Sequence, residues 1–228
     1  MRTASKKLKF LSRSSSSADI FSGGCTDCGR LERFLSKMRH SYPNYHNGPV
    51  ESFGNLGARL LIVGLAPGMH GANASGRPFT GDHAGLLLYR TLHEYGFSNL
   101  PESKGVNDNL KLVECRITNA VRCLPPQNKP VLSEVKNCQK FLVQEMEEIP
   151  DGGVIVALGK IAHDAVLRAF DLRISRYFFS HGAEHVLPSR SLKLLDSYHC
   201  SRYNTQTGRL TEKMFGEVFK RAAVIIRR

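Results

Sequence analysis

Along this 228-residue chain, short unbroken apolar runs alternate with apolar sets at helical spacing. Leu60-Leu61-Ile62-Val63 is followed by Gly64 and Pro67, and Val154-Ile155-Val156-Ala157-Leu158 ends at Gly159. β-branched and leucine-rich runs closed by such residues predict buried strands. Two more strands are predicted over 113–121 and 192–198. Leu31, Phe34, Leu35 and Met38 recur at helical spacing, as do Leu87, Leu88, Leu92 and Tyr95; the pattern predicts helices over 30–38, 84–95, 133–148, 161–170 and 210–226. Strand and helix in alternation, with connections too long for hairpins, argue an α/β fold on a parallel sheet covered on both faces. The length favours one domain, expected over 22–228. Residues 98–111, polar and broken by Pro101 and Gly105, read as a surface excursion.

The connection after the first strand is long and rich in glycine. It runs through Gly64-Leu65-Ala66-Pro67-Gly68 to Gly76-Arg77-Pro78-Phe79-Thr80-Gly81-Asp82. Structureless loops of that length are uncommon in compact domains and usually functional. Parallel strands deliver the loops after strands one, two and four to one edge of the sheet, where open α/β sheets bind ligands. Phe79, Asp82, Asn119 and His199 would meet there. Singly, each has a bland reading: Asp82 caps the next helix, Asn119 satisfies backbone groups, Phe79 packs, and a histidine at a strand end is more often structural than catalytic. Their shared position after different strands raises the set above its parts.

Hydrophobic content is 41%, and no apolar run nears the ~20 residues needed to cross a bilayer. A soluble, cytoplasmic product is therefore expected. The net charge is +12, of which Arg2, Lys6, Lys7, Lys9 and Arg13 against Asp19 contribute +4. Most of the basic excess thus belongs to the folded part, and points to a polyanionic partner, nucleic acid first. Residues 1–21 combine basic residues with Ser12 and the run Ser14–Ser17. They read as a disordered tail, with an organelle-targeting peptide as the alternative, because the apolar patch is too short for secretion.

Six cysteines remain to be placed. Cys25 and Cys28 form a CxxC turn at the start of the first helix, Cys123 follows the second strand, and Cys138 lies in the 133–148 helix. Four such thiolates fit either an all-cysteine zinc site or a four-iron cluster, although the spacing is not that of a paired CxxC ribbon. A disulfide framework would suit a small secreted domain better than this chain. Cys115 reads as a buried small hydrophobe.

Taken together, these motifs resemble the uracil-DNA glycosylase superfamily, and most closely its iron–sulfur branch, family 5 (type B). The resemblance is carried by Gly64-Leu65-Ala66-Pro67-Gly68, His70-Gly71-Ala72-Asn73, Gly76 through Asp82, Thr118-Asn119-Ala120-Val121-Arg122-Cys123, Asn128-Lys129-Pro130, Ser180 through His185, and the run from Asp196 containing His199 and Ser201. Leu65 stands where family 4 usually carries an acid, which favours family 5. The resemblance implies a three-layer α/β/α fold with a central four-stranded parallel sheet, and a [4Fe–4S] cluster on Cys25, Cys28, Cys123 and Cys138. It also implies excision of uracil, and of bases such as hypoxanthine and xanthine, from DNA; no lysine stands out as a Schiff-base nucleophile, so a monofunctional glycosylase is expected, acting as a monomer.

A glycosylase must hold the base outside the stack and read its polar edge. That assigns Phe79 to stacking, Asn119 to the edge, and Gly64, Ala66 and Gly68 to backbone contact with the base. His199 would donate to the base oxygen where charge develops. Asp82 would stabilise the cationic sugar and hold water, as carboxylates do in glycoside hydrolysis. Arg122, Lys129, Ser201, Arg202 and Tyr203 are the expected DNA contacts, with Tyr203 a candidate wedge. The chain departs from its relatives at Gly68, often alanine there, at Cys200, usually proline, and at Arg202 and Tyr203, commonly glutamines. The rival readings are a non-catalytic or covalently trapping uracil-DNA binder, and a nucleotide-binding or redox iron–sulfur module. The glycine loop lacks the Lys-Ser/Thr ending of a P-loop, which disfavours the latter.

Overall fold

The computed structural model describes residues 24–188 and 190–227; the tail expected over 1–21 lies outside them. Four parallel strands form the centre: β2 (Leu60–Gly64), β3 (Cys115–Asn119), β4 (Val154–Leu158) and β6 (Lys193–Ser197). Sequence patterning misses two short antiparallel edge strands, β1 (Phe53–Gly54) beside β3 and β5 (Glu184–Val186) beside β6. At two and three residues they are too short to show a period. The sheet therefore has six strands, in the order β1-β3-β2-β4-β6-β5.

Every residue of β2 and β4 is buried, as expected of parallel strands covered on both faces. Alternate side chains separate onto the two sides. Leu60 and Ile62 join Leu88 and Leu92 of α3 (His83–Glu94) and Phe215 and Phe219 of α7 (Glu212–Ile226). Leu61 and Val63 face Leu31 and Leu35 of α1 (Gly29–Ser41), Leu142 of α4 (Leu132–Glu147) and Val166 of α5 (Lys160–Ala169). The result is the expected α/β/α sandwich. No described helix is long and apolar enough to cross a membrane.

The second strand is shorter than its apolar pattern. Glu114, immediately before it, takes a left-handed conformation (φ 48°), and Val113 is exposed. More important for the site, β3 pairs with one side of β2 and β4 with the other. The chain reverses direction across the sheet at β2, and ligand crevices open beyond the strand ends at such a point.

Candidate active site

The connection leaving β2 is built rather than loose. Ala120 N–H donates to the Gly64 carbonyl (2.9 Å) and Val121 N–H to that of Leu65 (3.0 Å), so pairing continues past the sheet and clamps the first loop to the second. Within the loop, α2 (Ala72–Ser75) makes one helical turn. Tyr89 Oη, fully buried in α3, donates to the Pro78 carbonyl (2.8 Å). Phe79 is held at φ 53°, an uncommon backbone conformation for an aromatic residue of the kind that clusters at functional sites.

Phe79, Asp82, Asn119 and His199 line one cavity of about 420 Å³ at the carboxyl edge of the sheet. Ala66, Gly68, Ser201 and Arg202 share its wall. Gly64 does not line the cavity but makes room for it. A Cβ there would stand 2.8 Å from Phe79 Cζ and collide with Asn119 Oδ1. The Asn119 amide is 6% exposed, and its Oδ1 is buried with no hydrogen-bond partner. Such an orphaned acceptor is costly; it lies against Gly64, while the Asn119 side chain as a whole lines the cavity.

The rings of Phe79 and His199 stack at a centroid separation of 5.9 Å and an interplanar angle of 27°. A nucleobase between two rings needs about 7 Å, so the imidazole lies beside a stacking position on Phe79, not across from it. The His199 ring makes no hydrogen bond among the described residues. Burial pushes its pKa below the ordinary value, against the opposing pull of the Asp82 charge, so the ring is neutral at pH 7 and one nitrogen carries a proton to donate. Asp82 N-caps α3: Oδ1 accepts from Gly85 N–H at 2.9 Å. Its other oxygen lies against Gly71 and Gly68, and a Cβ at Gly71 would approach Oδ2 to 2.5 Å. The bland cap and the chemical reading thus coexist in one carboxylate.

A second cavity is lined by Cys25, Cys28, Cys123 and Cys138, at the junction of the α1 entry, the proline-rich loop and α4. All six cysteines are free. Burial pushes the Cys123 thiol up to about 12 and the Cys138 thiol to about 11, with the neighbouring cysteines adding to both. Asn137 Nδ2 lies 3.5 Å from Cys28 Sγ and 3.3 Å from the Asp27 carbonyl. Arg30 ties α1 to α4 through Glu134 (2.8 Å).

The sequence itself has known relatives. The model for the uracil DNA glycosylase superfamily matches residues 51–223. The chain belongs to this superfamily. It is 51% identical to a type-5 uracil-DNA glycosylase of Thermus thermophilus over 178 residues, 78% of this chain and 80% of that protein. It is 39% identical to the Pyrobaculum aerophilum type-5 enzyme over 87% of this chain and 88% of the relative, and 41% identical to that of Mycobacterium leprae over 87% and 90%.

Around this superfamily pocket, Arg122 falls differently from the sequence reading. Arg122, expected to face DNA, is 2% exposed. It bonds Glu145 (2.7 Å) and lies 5.6 Å from the Phe141 ring centroid. The apolar run preceding it carries it into the interior, and Glu145 supplies the counter-charge that burial demands. Ser201 N-caps α6 (Arg202–Gln206), accepting from Asn204 N–H at 3.4 Å. Tyr203 stands 70% exposed on that helix beside Arg202, and Lys129 is exposed on the proline-rich loop. Cys200 is fully buried, where burial pushes its thiol pKa far up.

Leu65, Ala72, His83, Ala84 and Asn128 also line the cavity, and sequence reasoning did not single them out for it. His83 follows Asp82 directly, and its Nε2 lies 3.0 Å from Thr205 Oγ1, joining α3 to α6. Adjacency to Asp82 was the available signal. Behind β6, Asp196 lies between His163 Nδ1 (2.7 Å) and His185 Nε2 (3.1 Å), while His163 Nε2 donates to the Tyr177 carbonyl (3.0 Å). This buried network fastens the strand that leads to His199.

Proposed function

We propose that the protein is a uracil-DNA glycosylase, a hydrolase that cleaves the N-glycosidic bond between uracil and deoxyribose in base-excision repair. The observation that carries the reading is the single cavity at the carboxyl edge of the sheet in which Phe79, Asp82, Asn119 and His199 meet. A primary amide offers one acceptor and two donors. Its oxygen accepts from uracil N3–H while its nitrogen donates to O4. Cytosine presents the opposite pattern, leaving both groups unpaired, and such mismatches discriminate strongly.

With the base stacked on Phe79, departure of the electron pair along the C1′–N1 bond puts negative charge on the pyrimidine oxygens and positive charge on the sugar. Neutral His199 donates to the base oxygen as charge develops, a contribution of ~3 kcal/mol for an aimed donor. Asp82 stabilises the sugar cation and orients the water whose oxygen attacks C1′. Backbone N–H groups of the 66–69 turn contact the base or its phosphate. Hypoxanthine and xanthine present the same N–H and carbonyl pair as uracil. The 420 Å³ cavity and the small Gly68 are consistent with these larger bases.

Cys25, Cys28, Cys123 and Cys138 are the residues to hold a [4Fe–4S] cluster. Among the described residues, His163, His185 and Asp196 are the only trio of metal-ligating side chains whose donor atoms lie within 4.8 Å of one another. No three of the four cysteine sulfurs lie mutually within 4.8 Å, whereas the corners of a zinc tetrahedron lie ~3.8 Å apart for 2.3 Å bonds. The cluster's contribution would be cross-linking: it joins the α1 entry to the proline-rich loop that brings Asn128 to the cavity wall. The buried Cys200 gives no support to a trapping role for that thiol.

The test is a labelled oligonucleotide panel carrying uracil, hypoxanthine or xanthine, treated with protein and then alkali. Strand breaks at the uracil site are expected; intact strands, or a protein band fixed irreversibly to DNA, would refute the reading. Iron and acid-labile sulfide at about four each per chain, unchanged in Cys115→Ala but lost in Cys138→Ser, would support the cluster. Stoichiometric zinc in their place would overturn it.

A further inference from the structure

The excursion over 98–111 has no part in the chemistry above, yet it is fastened to the catalytic loop. Arg77, two residues before Phe79, bonds Asp108 (2.7 Å), with both side chains about nine-tenths buried, and also donates to the Val106 carbonyl (2.7 Å). Thr80 Oγ1 lies 2.7 Å from Ser103 Oγ. Asp108 in turn accepts from the backbone N–H groups of Lys104 (2.7 Å), Gly105 (3.2 Å) and Leu110 (3.1 Å). Burial alone would raise its pKa, but Arg77 and these N–H groups hold it well below the carboxylate range. The segment is thus a rigid turn whose tip has a set position relative to Asp82.

That tip forms one wall of a groove of about 460 Å³. Glu102, Ser103, Lys104 and Arg202 line it together with Phe79, Asp82 and His83, and the last three and Arg202 also line the base cavity. The groove therefore continues directly from the proposed uracil pocket across the first turn of α3. Its two cations face a common channel. Lys104 is 75% exposed and pairs at 3.6 Å with Glu102, itself 49% exposed. Exposed pairs of this kind contribute little, so a stronger anion exchanges for the carboxylate readily.

We propose that this groove is a phosphodiester subsite. The strand bearing the extruded nucleotide leaves the pocket between Arg202 and Lys104, and a backbone phosphate replaces Glu102 as the partner of Lys104. Glu102 is then a built-in competitor that weakens DNA binding. The proposal rests on the glycosylase reading.

The experiment measures binding by fluorescence anisotropy to a duplex carrying 2′-fluoro-2′-deoxyuridine, whose fluorine resists cleavage, between 50 and 200 mM salt. Lys104→Gln should weaken binding and lower the slope of log K against log salt by about 0.9, the loss of one duplex phosphate contact. Glu102→Gln should tighten binding about two- to fivefold at the low-salt end, and the double variant should lack that gain. A Lys104→Gln slope equal to wild type, a Glu102→Gln variant with no gain, or a gain that persists in the double variant overturns the subsite while leaving the glycosylase reading intact. Salt-independent binding by the wild-type protein overturns both. The variants sit on exposed side chains, so loss of folding does not confound the comparison.

Discussion

One carboxylate oxygen of Asp82 accepts from Gly85 N–H at 2.9 Å, while the other lies beside Gly71, whose missing side chain leaves it room. A single residue thus caps α3 and presents charge to the cavity, and substitutions can separate the two tasks. Asp82→Asn keeps an acceptor for Gly85 N–H, so the melting temperature should hold while single-turnover excision falls by at least tenfold. Asp82→Ala should lose the same activity and also ~1 kcal/mol of stability. Gly71→Ala, which crowds Oδ2, should resemble Asp82→Asn in kinetics. Full excision by Asp82→Asn would remove the carboxylate from the mechanism.

His199 is expected to act as a neutral donor. Because burial lowers its pKa from the ordinary 6.5, its carbon-13-labelled ring should titrate below pH 6.5 by NMR, and the single-turnover rate should show no step from this group above that pH. Loss of the donor in His199→Ala should cost ~10²–10³ in rate. A ring that titrates above 6.5 would mean an imidazolium mechanism instead.

Tyr203, exposed on α6 next to Arg202, is the residue proposed to fill the stack vacated by an extruded nucleotide. Base unstacking costs a few kcal/mol in duplex and less in single strands. Tyr203→Ala should therefore reduce excision from paired duplex by roughly tenfold more than from single-stranded DNA, as measured by kcat/KM on the two substrates. Equal losses on both would exclude the wedge.

Glu145 gives an acid-stability signature. Burial works to raise its pKa, but Arg116, Ser52 and Arg122 more than offset this and hold it below 4.5. A depressed folded-state value means that the stabilisation is fully present above pH 4.5 and is lost as pH falls through the folded value. Glu145→Gln should cost about 3–5 kcal/mol at pH 7, since it removes the counter-charge shared by the buried Arg122 and the largely buried Arg116. It should also flatten the decline in urea-denaturation stability below pH 4.5. An unchanged acid limb would show that another carboxylate controls it.

Much of the architecture was legible in the letters, because unbroken apolar runs such as 154–158 have few options other than a strand buried on both faces. The long helices at α3, α4, α5 and α7 followed from their period. β1, β5 and α6 did not, since two, three or five residues carry no measurable period and are set by their neighbours. The sequence by itself determined the order of strands and helices, the residue types available at each strand end, and the motifs that mark the superfamily. Only the tertiary structure decided which polar groups meet solvent, ligand or each other. Arg122 and Tyr203 both read as DNA contacts, yet one is enclosed with Glu145 and the other stands in the open. Burial is a property of the packed layers and of counter-charges distant in sequence, such as Glu145 for Arg122 and Arg77 for Asp108. No local pattern encodes that partnership, because it exists only once the sheet has brought the loops to one edge.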